Sequence, residues 1–159
     1  MVFQVGDRIA HPMHGAGVID RIETKKLGSE ERQYYVLKLP VGDMRVMIPV
    51  DSCSAIGVRP IIASEEAEQI LNAIPALEIS MTQNWNRRYR ENMLRIKSGD
   101  LMEVAVVVKG LMARESERGL STGERKMLHS AKQILLSEFV MSMCEEYEAI
   151  EHRLNLAMA

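Results

Sequence analysis

The stretch R-I-A-H-P-M-H-G places His11 and His14 with two residues between them. Two imidazoles at that spacing suggest a metal only weakly, because no third ligand stands nearby. His14-Gly15 reads as a turn and His11 as the rim of a β structure. His129 and His152 fall on helical stretches with no His or Cys three or four residues away. Glu148, four residues before His152, reads as half of an exposed helix pair. Cys53 and Cys144 have no Cys-x-x-Cys partner and no evident base, so neither is a good nucleophile. The run H-G-A-G is too short for a phosphate loop and lacks the following Lys-Ser/Thr. Carboxylates are abundant, but they sit at helix starts or on polar faces. No metal and no cofactor are expected, and a binding module is a better class than an enzyme.

The other conspicuous stretch is T-Q-N-W-N-R-R-Y-R-E-N, residues 82–92. It holds the chain's only tryptophan, Trp85, followed by Arg87, Arg88 and Arg90, in a chain with only 4% aromatic residues. On a helix Trp85, Tyr89, Met93 and Ile96 share a face, and that spacing alone places Trp85 towards the core. Its place in the first turn also allows the ring to overhang the end of a bundle. An apolar ring beside arginines suits nucleic acid, because it can stack on a base or wedge at a step. The cations supply the salt-sensitive attraction to phosphate. Arg125, Lys126 and Lys132 could extend the same patch.

These residues need elements to position them. Up to about residue 62, short runs rich in Val, Ile and Tyr are punctuated by Gly and Pro: DRIAHP, GVIDRIET, QYYVLKLP, MRVMIPV and AIGVRPII. In GVIDRIET, Val18 and Ile22 alternate with polar residues, and Asp20 breaks the pattern. KKLGSEER and PVGD serve as hairpin connections. Four or five such strands predict a small antiparallel barrel of the SH3 or Tudor shape. After residue 63 the period becomes helical. Ser64 is the expected N-cap of a first helix, which Pro75 stops. A second helix is expected over roughly 83–97. Asp100 with Glu103, and Ser121 with Glu124, have the spacing of capping boxes opening two more. Helical character then persists to about Leu156, with a break expected near Ser137–Ser142. The fold class is therefore α+β: a β unit over 1–62 and a helical unit over 63–159 that ends in an acidic helix.

Composition limits the function classes. The chain has 159 residues, 47% of them hydrophobic and 26% charged, as in a globular protein. No apolar run approaches the ~20 residues a membrane span needs. MVFQVGDR carries no signal-peptide pattern, and two isolated thiols fit a reducing compartment, so a cytoplasmic location is expected. The net charge of −2 hides a basic segment and an acidic tail. Residues 85–99 carry Arg87, Arg88, Arg90, Arg95 and Lys97 against Glu91 alone. Residues 138–151 carry five glutamates and no Lys or Arg.

The chain resembles the CarD/CdnL family of bacterial RNA polymerase-binding transcription regulators. The β half carries V-G-D-R-I-A-H-P-M-H-G-A-G at 5–17, I-E-T at 22–24, Y-Y-V-L-K-L at 34–39 and G-V-R-P at 57–60. The helical half carries N-W-N-R-R-Y at 84–89, S-G-D at 98–100 and E-R-G-L-S-T-G-E-R-K-M-L at 117–128. These blocks span residue 2 to about 138 and leave the tail outside.

The resemblance implies a Tudor-like domain that docks on the β subunit of RNA polymerase. It also implies a helical domain on promoter DNA at the upstream edge of the melted region. The matching tryptophan, Trp85, is the minor-groove wedge, and neighbouring basic residues hold the backbone. No enzymatic activity and no cofactor are implied. Polymerase contacts fall on Lys25, Lys26, Leu27, Arg45 and Met47. Met47 stands where some relatives have Arg. The alternative function is a protein-interaction adaptor that binds through its barrel, with Trp85 in the core and no DNA contact. A monomer is expected, and a domain-swapped dimer through the helical tail is the alternative.

Overall fold

The structure is a computed structural model that describes residues 2–41 and 43–159. Met1 and Gly42, the latter part of the expected P-V-G-D turn, lie outside the described residues. The chain begins with β1 (Arg8–His11), β2 (Gly15–Leu27), β3 (Glu30–Lys38) and β4 (Arg45–Pro49). A short helix α1 (Cys53–Ile56) precedes β5 (Arg59–Pro60). The strands form one antiparallel sheet in the order β4-β3-β2-β1-β5. Five helices follow: α2 (Ser64–Ala73), α3 (Trp85–Lys97), α4 (Leu101–Arg118), α5 (Thr122–Met143) and α6 (Tyr147–Met158). This is the expected α+β class. Among the described residues no helix is long and apolar enough to cross a membrane.

Asp20 disturbs the alternation in β2 because it is the extra residue of a β-bulge. Ile19 pairs with Leu37 and Arg21 with Val36, which leaves Asp20 unpaired between them. The inward residues are therefore Ile19 and Ile22 rather than the Val18 and Ile22 of strict alternation. Ile19 packs with Ile9, Tyr35, Leu37 and Ile48 in the β core. Val18 faces the other way, beside Ala10, Ala16 and Met141 of α5.

His11 and His14 lie side by side at the β1–β2 turn, with ring centroids 4.5 Å apart and planes tilted by 51°. The Met13 N–H donates to His11 Nδ1 at 3.0 Å, which requires that nitrogen unprotonated. Burial first, and His14 second, push the His11 pKa down from 6.5 to about 4. A pKa below the unfolded value means that the unfolded chain takes up the proton first as pH falls. This stability is present above about 6.5 and lost progressively towards about 4. Thermal melts stepped from pH 7 to pH 5 should show a falling Tm, and His11→Asn should flatten that segment.

The helical half packs around α4 and α5, whose Val104, Val108, Leu111, Leu135 and Phe139 are fully buried. Three starts and stops differ from expectation. Ser64 is the first residue of α2 rather than its cap; Ala63 holds the cap position with no side-chain bond. Asp100 caps through Met102 N, while Glu103 turns aside to Arg95. The break after α5 comes at Cys144, in left-handed conformation (φ 53°), two residues beyond the expected window. The acidic helix α6 buries Ile150, Leu154 and Met158, and Arg153 clasps Glu68 of α2 with bonds of 3.0 and 2.7 Å.

The two halves meet along α5. The Ala16 N–H donates to Ser137 Oγ at 2.9 Å, and Arg8 donates to the Met141 carbonyl at 2.9 Å. Gly15 has φ +94°, and a Cβ there would run into the Ser137 hydroxyl. Glycine is thus required where β2 presses on α5. Arg59 of β5 forks onto Glu138, with bonds of 2.7 and 3.0 Å.

Candidate nucleic-acid interface

Asn84 starts α3 by accepting from Arg87 N, and this fixes Trp85 as the first helical residue. The indole is 41% exposed. It lies against Tyr89 at 5.1 Å between centroids and 18° between planes, a stacked pair. Its Nε1–H donates to Ser121 Oγ at 3.0 Å. Cζ2 lies 3.6 Å from where a Cβ on Gly123 would stand, so this edge of the ring faces the first turn of α5. Trp85 is thus at the rim of the bundle, and the core placement favoured by its spacing is not what the structure has. The buried line on α3 is Arg88, Asn92 and Ile96, with Tyr89 and Met93 half-buried beside it.

Arg88 is the main correction to the expected DNA contacts. Its side chain and that of Glu124 are each 2% exposed. The guanidinium forks onto the Glu124 carboxylate at 2.8 and 3.0 Å. It also donates to the carbonyls of Thr82 and Gln83 at 3.1 and 2.9 Å. Every strong bond points inward, so Arg88 cannot reach a phosphate. The pairing holds the Glu124 carboxyl below the usual carboxylate range and raises the guanidinium further. Glu124 is therefore only half of the expected capping box. The Ser121 hydroxyl accepts from Glu124 N, but the carboxylate goes to Arg88.

The other cations divide by helical phase. At about 100° per residue, Lys126 lies within one turn and roughly 60° of Gly123, whereas Arg125 and Lys132 lie on the opposite face of α5. Arg125 stands 3.8 Å from Glu115 of α4, and Lys132 stands 4.0 Å from Glu151 of α6. These two do not extend the Trp85 patch. Arg87 is exposed and pairs with Glu91 at 3.0 Å, one helical turn on. Arg90 and Lys126 are exposed and without an ion pair among the described residues. By the same phase Arg87 and Arg90 lie about 160° and 140° round α3 from Trp85, so of these cations only Lys126 is on the side of the ring, and Arg87 and Arg90 form the exposed flank of α3.

The residues expected to meet polymerase lie on the outer sheet surface. Alternation and register put Lys25, Leu27, Arg45 and Met47 on one face, while Lys26 points to the other. Lys25 pairs with Arg32 and Met47 with Val36, four residues apart on β3, and they flank β3 on either side, so about 13 Å along the strands and about 10 Å across them separate the two. Tyr34 sits between, with Lys25 Nζ at 6.0 Å and Arg32 Cζ at 5.9 Å from its ring. Leu27 and Met47 are exposed. Lys26 is 3.8 Å from Glu31 across the hairpin.

Sequence reasoning missed Tyr89 and Ser121 as partners of the indole. It also missed Arg114, near enough to lower the Glu124 pKa. Tyr89 was signalled by its i+4 spacing from Trp85; Ser121 carried only a capping signal.

Two matches to described families cover most of the chain. Residues 3–62 match the CarD-like/TRCF RID domain, and residues 69–155 match the CarD C-terminal domain. A Bacillus subtilis (strain 168) protein named "Putative transcription factor YdeB" is 38% identical over 137 residues, covering 86% of this chain and 90% of the relative. The chain belongs to the CarD family. It is a transcription regulator of the CarD type, with a Tudor-like module of the kind that interacts with RNA polymerase. The family match runs to residue 155, so the tail beyond 138 lies inside the shared region, contrary to expectation. That agrees with the burial of Ile150 and Leu154 in the helical core.

Proposed function

We propose that this CarD-family protein tethers itself to the RNA polymerase β subunit and stabilises the melted promoter through Trp85. Residues 1–62 form the polymerase module, with Lys25, Leu27, Arg45 and Met47 on its docking face. Residues 63–159 form the DNA-binding domain. The observation that carries this reading is a half-exposed indole at the bundle rim, with Lys126 exposed one turn along α5 from the Gly123 that the ring meets and Arg87 and Arg90 exposed on the flank of the ring's own helix.

An inserted ring stabilises an unstacked step at the upstream edge of the bubble and opposes its collapse. Arg87, Arg90 and Lys126 set register on phosphate and read no base sequence. Three phosphate contacts give weak, salt-dependent DNA binding. Docking on polymerase raises the local concentration of that contact, which is why two modules share one short chain. The protein works in the cytoplasm with the nucleoid, as a monomer, without catalysis or cofactor.

Footprinting of polymerase–promoter complexes and open-complex lifetimes, with wild type and Trp85→Ala, test this. The variant should shorten lifetime by a factor of about 5 to 150, the worth of one ring–base stack. Polymerase binding should be unchanged. Equal lifetimes on several promoters would refute the wedge.

A further inference from the structure

Trp85 is exposed, yet it is not free. Tyr89 covers one face of the indole, the first turn of α5 meets its Nε1–Cζ2 edge, and the Ser121 hydroxyl takes its only N–H. Ser121 Oγ accepts twice: from the Trp85 indole at 3.0 Å and from Glu124 N at 3.2 Å. A hydroxyl oxygen has two lone pairs, and these two bonds use both. The oxygen that caps α5 is therefore the oxygen that aims the ring of α3. Glu124, the next partner of that turn, is locked by Arg88, and Arg88 holds the carbonyls of Thr82 and Gln83 just before α3. The starts of both helices are joined at one point, and the ring hangs from it.

We propose that Ser121 is a positioning residue for Trp85, presetting the orientation in which the indole meets its ligand. The inference rests on the proposed function, in which that ligand is unstacked promoter DNA. A ring on an untethered side chain must lose rotamer freedom on insertion, and a ring already fixed has lost it beforehand. Ser121 itself touches no DNA in this reading; it acts through Trp85.

The chain holds a single tryptophan, so its fluorescence reports this ring alone. The test compares Ser121→Ala, Ser121→Gly and Ser121→Thr with Asp100→Ala in the full chain. Glycine at a cap position keeps most of the helix stability while deleting the hydroxyl, so it guards against a folding effect. Threonine restores the oxygen. Asp100→Ala removes the comparable cap of α4, which is not among the partners of the indole.

In the free protein, time-resolved anisotropy should show faster local motion of Trp85 in the Ala and Gly variants. Thr and Asp100→Ala should match wild type. In the polymerase–promoter complex the Ala and Gly variants should shorten open-complex lifetime about fivefold, the net worth of one hydrogen bond. Thr should stay within about twofold of wild type on the same scale. The proposal is overturned if the ring stays as restrained in Ser121→Ala and Ser121→Gly as in wild type. It is equally overturned if Asp100→Ala shortens the lifetime as much, because the effect is then one of general stability. If Trp85→Ala leaves lifetime unchanged, the proposed function fails, and the anisotropy of the free protein still decides whether Ser121 holds the ring.

Discussion

Arg88→Ala should cost about 3–5 kcal/mol of folding stability, because it strands the Glu124 carboxylate in the core without its partner. Arg88 and Glu124 are each 2% exposed, and four hydrogen bonds end on the guanidinium. Urea unfolding followed by circular dichroism reads the loss. With a slope of about 2 kcal/mol per molar, the midpoint should fall by roughly 2 M. Arg90→Ala should change stability by less than about 0.5 kcal/mol, because Arg90 is exposed. The double variant Arg88→Met with Glu124→Leu should recover most of the loss, because two apolar side chains need no charge partner. A cycle in which Arg88→Ala is mild, or the double variant is as bad as the two singles summed, would remove the pair from the core. The pair also has a pH signature. Because the Glu124 carboxyl lies below its ordinary value of 4.5, its contribution is present above that pH and is lost as pH falls through the lower folded value.

Arg88 also marks the limit of what the sequence could disclose. R-R-Y-R reads as one basic cluster, and nothing local separates its members. The separation comes from Glu124, 36 residues away, whose own spacing from Ser121 announces a cap. One signal was legible: Ile96 is apolar, and Arg88 and Asn92 stand eight and four residues before it, on its stripe. The expected face of Trp85, Tyr89, Met93 and Ile96 takes the apolar neighbours of Ile96 on one side and leaves out the polar Arg88 and Asn92 on the other, which are the ones buried. The rim place of the ring follows from its position in the first turn, where the stripe runs off the end of the bundle.

Elsewhere local rules sufficed. The strand runs, the hairpin at Gly28 and the change of period after residue 63 are backbone-level features, and the sheet and helices follow them. Asn84, Asp100 and Ser121 each cap through the side chain, as short polar residues at those places should. The bulge at Asp20 was visible only as a broken alternation. Which strand faces then meet α5 depends on long-range packing. The split of Lys126 from Arg125 and Lys132 needed the phase of α5 against α3, and no single helix shows that.

The second large effect concerns the junction between the halves. Glu138 lies in α5 with a side chain only 2% exposed. Its carboxylate takes two bonds from Arg59 and a third from the Ile62 N–H at 2.9 Å. Glu138→Ala removes all three. Arg59 is one-third exposed and can turn to water, whereas the Ile62 N–H is left without its partner. The expected cost is about 3 kcal/mol, in the range for hydrogen bonds to a charged group, less what Arg59 regains from solvent. The remaining hydrogen-bonded ties among the described residues are Ala16 N to Ser137, Arg8 to Met141, Arg59 to the Gly99 carbonyl and Ser142 to the Ile62 carbonyl. They include no second ion pair, so the loss should fall on the coupling of the halves rather than on either core. Calorimetry should show one transition in wild type and a broadened or split one in Glu138→Ala. Glu138→Gln, which keeps the acceptor and the shape but drops the charge, should lie between them. A single sharp transition in Glu138→Ala, lowered or not, would mean that the β half and helices are one cooperative unit without this clamp. If the halves do loosen, the distance from the β2–β3 face to Trp85 is no longer fixed. Open-complex lifetime should then fall even though both the docking face and the indole are intact. That loss, with normal polymerase binding and normal Trp85 anisotropy, would place the effect in the geometry between the modules.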